Sequence, residues 1–262
     1  MPFFADTNVC SKWETDPGVH ANWLAEKARL ESLGHEYVSC SLVLVELLSR
    51  LVKPEPAYFS SDLKSFLFLS KNETARFLPF PAKFALKTAL GVDSRVSRFD
   101  AEEFHNWSKC VTSAKSREAL GNAEVEMDSM LLTYGIDFGK IKRQHEAGRA
   151  AFIKRMAYLR GHRRLPSRDE VALGILRAQH VIPQPADADK LADALDAAYH
   201  YEIFLLSTDN SYDFGADKHH GDWVDSQLLY YLADPEMYIL TDDSKLKKRC
   251  LPSPQADRIL LL

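Results

Sequence analysis

The sequence predicts an α/β protein whose parallel-sheet core is assembled from both ends of the chain, with a large, mainly helical insertion between them. Two short apolar segments, Pro2–Ala5 and residues 237–240, each end in polar and acidic residues, as strands do where a parallel sheet carries chemistry at its edge. The residues between them have helical patterning and few β-like runs. A chain of 262 residues has room for both parts.

The predicted elements follow in chain order. Residues 2–5 form the first strand and residues 37–40 the second, and Ser41 can cap a helix over residues 41–50, which Pro54 and Pro56 end. Further strands are predicted at residues 76–80, 237–240 and 258–262, and helices at residues 101–110, 116–134, 141–160, 167–178 and 189–198. The predicted domains are a first core part (residues 1–85), the helical insertion (86–204) and a second core part (205–262).

Composition narrows the functional classes. Hydrophobic residues make up 46% and charged residues 27% of the chain, which is ordinary globular usage. The longest apolar runs are far shorter than the roughly 20 residues that span a bilayer, and the N-terminus lacks a signal-peptide pattern, so no membrane partner is expected. Four widely spaced cysteines match neither a zinc site nor a disulfide scaffold, which favours a cytoplasmic location.

Four separated segments carry the acidic candidates for a site, namely Asp6, Glu46, Asp222 with Asp225, and Asp243. Each has an ordinary alternative. An Asp after a strand often caps or turns the chain, a Glu in an apolar helix can face water, and acids in a first helical turn complement the helix dipole. Their order, and the interval from Asp225 to Thr241 that fits a helix and a short loop, favour one acidic cluster at the sheet edge.

This ordered set resembles the PIN-domain nucleases, whose pattern is Asp-x-Asn early, a Glu in the second helix, an Asp opening a later helix and Thr-x-Asp after a strand. Residues 1–55 and 215–262 carry the resemblance. It implies a three-layer parallel-sheet core. The catalytic and metal-binding positions that it implies are Asp6, Glu46, Asp225 and Asp243. Asp222 is a further candidate ligand, and Asn8 and Thr241 are the implied orienting neighbours.

The resemblance also implies a function, that of a metal-dependent endoribonuclease acting on single-stranded RNA as a toxin, a defence effector or an RNA-processing enzyme. Carboxylates bind hard cations such as Mg²⁺ or Mn²⁺, and two such ions would activate the attacking water and stabilise the leaving 3′-oxygen. Cleavage would leave a 5′-phosphate and a 3′-hydroxyl. The alternative is a catalytically silent PIN-like scaffold that binds RNA or protein. A second copy of the chain or an inhibitor protein is a further expected partner.

A basic segment of the insertion is the candidate for gripping RNA. Residues 140–164 hold nine Lys and Arg against one acid, in a chain of net charge -4. Their charge suits phosphate contacts, and an aromatic ring among them can stack on a base. The predicted nucleic-acid-binding residues are Arg155, Tyr158, Arg160, Arg163 and Arg164. An equally good alternative is a solvated helix whose basic residues pair with acids elsewhere in the protein.

Overall fold

Both ends of the chain meet in one parallel sheet. The computed structural model describes residues 1–12, 16–51, 59–70, 77–91, 138–182, 184, 186–208, 211–216, 219 and 221–262. Strands β1 (Pro2–Ala5), β2 (Glu36–Tyr37), β5 (Tyr238–Thr241) and β6 (Ile259–Leu261) form a four-stranded sheet in the order β2-β1-β5-β6, with every pairing parallel. The predicted α/β class with a parallel sheet is therefore confirmed.

The predicted second strand is two strands in two different sheets. Val38 separates them: its N–H still donates to the carbonyl of Phe3, 2.9 Å away in β1. The next two residues, β3 (Ser39–Cys40), pair instead with β4 (Phe77–Leu78) in a second, two-stranded parallel sheet. The Ser39 hydroxyl then donates to the carbonyl of Leu69 at 2.8 Å. The prediction of one strand over residues 37–40 is wrong because the chain changes sheet at Val38.

Eleven α-helices surround the sheets in the residues described. They are α1 (Thr7–Ser11), α2 (Pro17–Ser32), α3 (Ser41–Leu51), α4 (Phe59–Ser70), α5 (Pro81–Leu90), α6 (Phe138–Gly161), α7 (Arg168–Ala178), α8 (Asp187–Ala194), α9 (Asp196–Ser207), α10 (Gly221–Leu228) and α11 (Ser244–Arg249). Two 3-10 helices cover Leu229–Ala233 and Pro254–Arg258. No helix within these ranges is long and apolar enough to cross a membrane.

The helix predictions have mixed outcomes. Helices over residues 141–160 and 167–178 are confirmed as α6 and α7. The single helix predicted over residues 189–198 is wrong, because the chain breaks at Leu195 between α8 and α9. The side-chain amide of Gln255 holds this break, since it donates to the carbonyl of Ala194 at 3.0 Å and accepts from the N–H of Ala197 at 2.9 Å. The helices predicted over residues 101–110 and 116–134 lie outside the described residues.

Helix α6 packs against α9 and α10. Gly148 permits the contact with α10, because a Cβ atom at this position would lie 3.0 Å from Cζ2 of Trp223. Arg155 of α6 also forms an ion pair with Glu202 of α9, with 2.5 Å between Nη2 and Oε1. The basic helix therefore supports the helix that carries Asp222 and Asp225.

Candidate active site

A cavity of about 440 Å³ opens at the carboxyl edge of the four-stranded sheet. Asp6 follows β1, and its N–H donates to the carbonyl of Leu240 at 2.9 Å, which fixes it beside the end of β5. Helices α3 and α10 bring further acids to the same space. The cavity is lined by Asp6, Thr7, Asn8, Glu46, Arg50, His219, Gly221, Asp222, Val224, Asp225, Leu228, Asp243, Lys245 and Arg249. The fold thus brings the acids of four separate segments together.

Asp6 is held at both of its carboxylate oxygens. Oδ1 accepts from the N–H of Val9 at 3.0 Å, so Asp6 caps α1, and Oδ2 accepts from the hydroxyl of Thr241. Burial raises the pKa of Asp6 to about 6, although both hydrogen bonds lower it, and the negative charges of Glu46 and Asp243 raise it further. The capping alternative considered for Asp6 is therefore realised, and it fixes the side chain within the cluster of acids.

Thr241 connects Asp6 to Asp243. Its hydroxyl donates to Asp6 and accepts from the N–H of Asp243 at 2.9 Å. Asp243 in turn accepts from the N–H of Lys245 at 2.7 Å and so caps α11. Thr241 is fully buried, and this is the position that an orienting residue needs.

Glu46 does not face open water from its apolar helix. Its two oxygens accept from the hydroxyl of Thr7 and, at 2.8 Å, from Nη2 of Arg50, one turn further along α3. Only 13% of its side chain is exposed. Charge pairing thus accounts for an acid in the apolar helix, and both members of the pair line the cavity.

Asp222 and Asp225 have different surroundings, although both belong to α10. Asp222 accepts from Arg249 at 3.0 Å and from the hydroxyls of Tyr201, at 3.3 Å, and Tyr212. Asp225 accepts from the hydroxyl of Tyr201 at the shorter distance of 2.9 Å. Burial raises the pKa of Asp225 well above its ordinary value, and the charges of Asp6, Glu46 and Asp243 add to this. Asp225 is thus the residue of α10 that is electrostatically coupled to the cluster.

The donor set has the chemistry of a site for hard cations. Carboxylate oxygens are the ligands that Mg²⁺ and Mn²⁺ prefer. A cation would offset the mutual repulsion of the acids, which adds to the effect of burial in raising the pKa of Asp6 and Asp225. Within the described ranges, no three acidic, His or Cys side chains stand close enough to share one ion. The carboxylates are instead turned toward protein donors, and a shared ion would require them to turn toward the cavity.

Several residues of the site were not found from the sequence, among them Arg50, Tyr201 and Lys245. Arg50 lies four residues after Glu46, so helical spacing could have indicated it, whereas Lys245 lies only two residues after Asp243. Tyr201 lies in α9, and its hydroxyl accepts from Arg249 at 2.8 Å while donating to Asp225. No spacing in the sequence indicates this contact.

Three arginines of the basic segment make contacts within the protein. Arg155 pairs with Glu202, and Arg164 with Glu170. Arg160 donates to the backbone carbonyl of Tyr212 at 2.6 Å, and its guanidinium lies 4.3 Å from the ring centroid of Phe214. For these three arginines, the contacts agree with the alternative that the basic residues pair with other groups of the protein. Arg163 lies two residues after the end of α6 and has a positive φ of 50°. Tyr158 is 56% exposed and packs on the ring of His162.

Comparisons with protein-family models, with curated proteins and with solved structures gave no match to this chain. A function must therefore be inferred from the residues of the cavity.

Proposed function

We propose that this chain is a Mg²⁺- or Mn²⁺-dependent endoribonuclease of the PIN-like type, which hydrolyses single-stranded RNA in the cavity at the sheet edge. One observation carries the proposal. Four carboxylates from segments far apart in the sequence, those of Asp6, Glu46, Asp225 and Asp243, line one cavity. Bringing four acids together is electrostatically costly, and a divalent cation is the ligand that offsets the cost.

The set of ligands favours hydrolysis of an anionic ester. Divalent ions bound by these carboxylates would provide a nucleophilic water and neutralise charge that develops on a phosphate. Oxygen-only ligands suit Mg²⁺ or Mn²⁺ better than Zn²⁺, for which His and Cys are the common ligands. The cavity volume of about 440 Å³ lies in the range of small-ligand sites, which fits one phosphodiester and its flanking sugars. A single strand can deliver such a group to the cavity.

The chain's own residues orient the carboxylates before any ion binds. The N–H of Val9 and the hydroxyl of Thr241 fix Asp6, and the hydroxyl of Tyr201 fixes Asp225. A carboxylate oxygen offers more than one lone pair, so these hydrogen bonds leave capacity for a cation. An ion shared by three of these carboxylates would still require them to turn toward the cavity.

The test is cleavage of end-labelled single-stranded RNA by purified protein with Mg²⁺, Mn²⁺, Zn²⁺ or EDTA. We expect activity with Mg²⁺ or Mn²⁺, 5′-phosphate products and none with EDTA. Asp225→Asn should abolish cleavage, whereas Glu236→Gln, at an exposed acid outside the cavity, should not. Activity in EDTA, or full activity in Asp225→Asn, would contradict the proposal. Binding of RNA without cleavage in any of these ions would instead favour the silent scaffold.

A further inference from the structure

The three cations that line the cavity differ in their partners. Nη2 of Arg50 lies 2.8 Å from Glu46, and Nη1 of Arg249 lies 3.0 Å from Asp222. Lys245 is exposed at the cavity wall, and among the residues whose positions are described its ammonium group has no acidic partner. The charge of Lys245 is thus available to a ligand, while the charges of the two arginines are already neutralised.

The backbone places Lys245 next to the acidic cluster. Asp243 caps α11 by accepting from the N–H of Lys245, so Lys245 lies in the first turn of that helix, two residues after a cluster carboxylate. Arg249 lies four residues later on the same face of α11 and also lines the cavity. Because Lys245 is exposed and Arg249 is largely buried, Lys245 marks the solvent side of the cavity.

Binding of a polyanion at the cavity requires a cation that is not already paired with an acid. Among the residues that the structure describes, five acids and three cations line the cavity, so without an ion this lining repels phosphate. Two of the cations are paired, and the arginines at positions 155, 160 and 164 are held by protein groups. We infer that Lys245 is the phosphate-contacting residue of the cavity and that its ammonium group binds a phosphate of the RNA strand beside the carboxylate cluster. This inference rests on the proposed function.

The chain offers two matched controls. Lys248 is exposed on the same helix, one turn from Lys245, but is not among the described residues that line the cavity. Lys190 is exposed on α8. Each can be changed to Met, which removes the charge and keeps most of the aliphatic stem. A general effect of net charge would appear in all three variants, and a specific phosphate contact only in Lys245→Met.

The experiment measures binding of a short end-labelled oligouridylate across a KCl series, in Ca²⁺ to limit cleavage and in EDTA. For Lys245→Met we expect affinity to fall about threefold, as for loss of one exposed ion pair. We also expect the slope of log affinity against log salt to become shallower by about 0.7, the value for one phosphate contact on a single strand. Lys245→Arg should restore both, and Lys248→Met and Lys190→Met should match the wild type.

Three results would overturn the inference: no wild-type binding in either condition, unchanged binding in Lys245→Met, or a change in Lys245→Met that Lys248→Met reproduces. Failure of the proposed hydrolysis is a separate outcome. Cleavage by the wild type with unchanged binding in Lys245→Met would retain the nuclease and remove the role of Lys245. Lys245-dependent binding by a protein that cleaves RNA without a metal ion would retain the role of Lys245 and remove the metal-dependent mechanism.

Discussion

Replacing Asp6 with Asn should stabilise the metal-free protein at neutral pH. The pKa of Asp6 is raised from 3.8 to about 6, chiefly because burial disfavours its charged form. Between about pH 4 and pH 6 the folded state holds a proton that the unfolded chain has released, so stability falls as the pH rises through this window. A difference of about two pKa units corresponds to about 3 kcal/mol of destabilisation at pH 7. Asparagine carries no charge and escapes this cost.

A hydrogen-bond penalty reduces the gain. The amide oxygen of Asn can accept from the N–H of Val9 as Asp6 does, but its NH₂ group then faces the hydroxyl of Thr241. That hydroxyl already accepts from the N–H of Asp243, and it loses the acceptor for its own proton. Such a loss costs about 1 kcal/mol. The net stabilisation should be about 2 kcal/mol at pH 7 to 8 and should vanish or reverse near pH 4.

The assay is urea denaturation in EDTA from pH 4 to pH 8, repeated with Mn²⁺. Ions bound by the folded wild type add about 2.7 kcal/mol when their concentration is about 100 times Kd, so Mn²⁺ should reverse the order of the two proteins. Glu236→Gln is the control, because this acid is exposed and its substitution should change stability by less than about 0.5 kcal/mol. An Asn variant that is less stable at pH 8 in EDTA would refute the reasoning.

Three further changes test the scaffold of the site. Tyr201→Phe removes the hydroxyl that donates to Asp225. The free energy of unfolding measured in urea should fall by about 1–3 kcal/mol, and Mn²⁺ binding measured by calorimetry should weaken. An unchanged Mn²⁺ affinity would leave Tyr201 without a positioning role. Gly148→Ala should lower stability by about 1–2 kcal/mol, because its Cβ would lie 3.0 Å from a ring atom of another helix. Its control, Gly174→Ala, meets no described heavy atom within 4 Å and should raise stability by about 0.5–1 kcal/mol; equal thermal shifts in the two variants would contradict the packing argument. Arg155→Met leaves the buried acid Glu202 unpaired and should lower the free energy of unfolding by about 2 kcal/mol, a value reduced because the arginine side chain is 38% exposed. The salt dependence of RNA binding should stay unchanged.

The sequence was informative about the sheet because the two strands beside its centre are short apolar segments that end in polar groups. The strand predicted over residues 237–240 is observed one residue later, at Tyr238–Thr241. The change of sheet at Val38 has no such signal, since it depends on the pairing of β3 with β4, which is distant in the sequence. The helix break at Leu195 also depends on a remote residue, Gln255. Hydrophobic periodicity within a segment does not indicate contacts between residues that are far apart in the sequence.

The convergence of acids could be anticipated, and their partners could not. Parallel strands place their carboxyl ends at one edge, which is why Asp6 and Asp243 were expected to lie near each other. The roles of these residues in metal binding and cleavage stay predictions. The nucleic-acid-binding role of the basic segment stays a prediction, and charge alone could not reveal that Glu202 is buried opposite Arg155. A basic segment that binds a partner at the surface and one whose arginines pair within the protein can have the same sequence.

The capping contacts of Asp6 and Asp243 do not compete with a metal-binding role. One oxygen of each accepts from a backbone N–H at the start of a helix, and this contact fixes the direction of the whole carboxylate. Capping alone, however, does not require a charge, since Ser or Asn caps a helix equally well. It also gives no reason for Asp6 to be buried near Glu46 and Asp243, where their charges raise its pKa. A protein that used Asp6 only for helix capping would gain stability from an uncharged cap, and the proposed metal-binding role gives the charge of Asp6 a function.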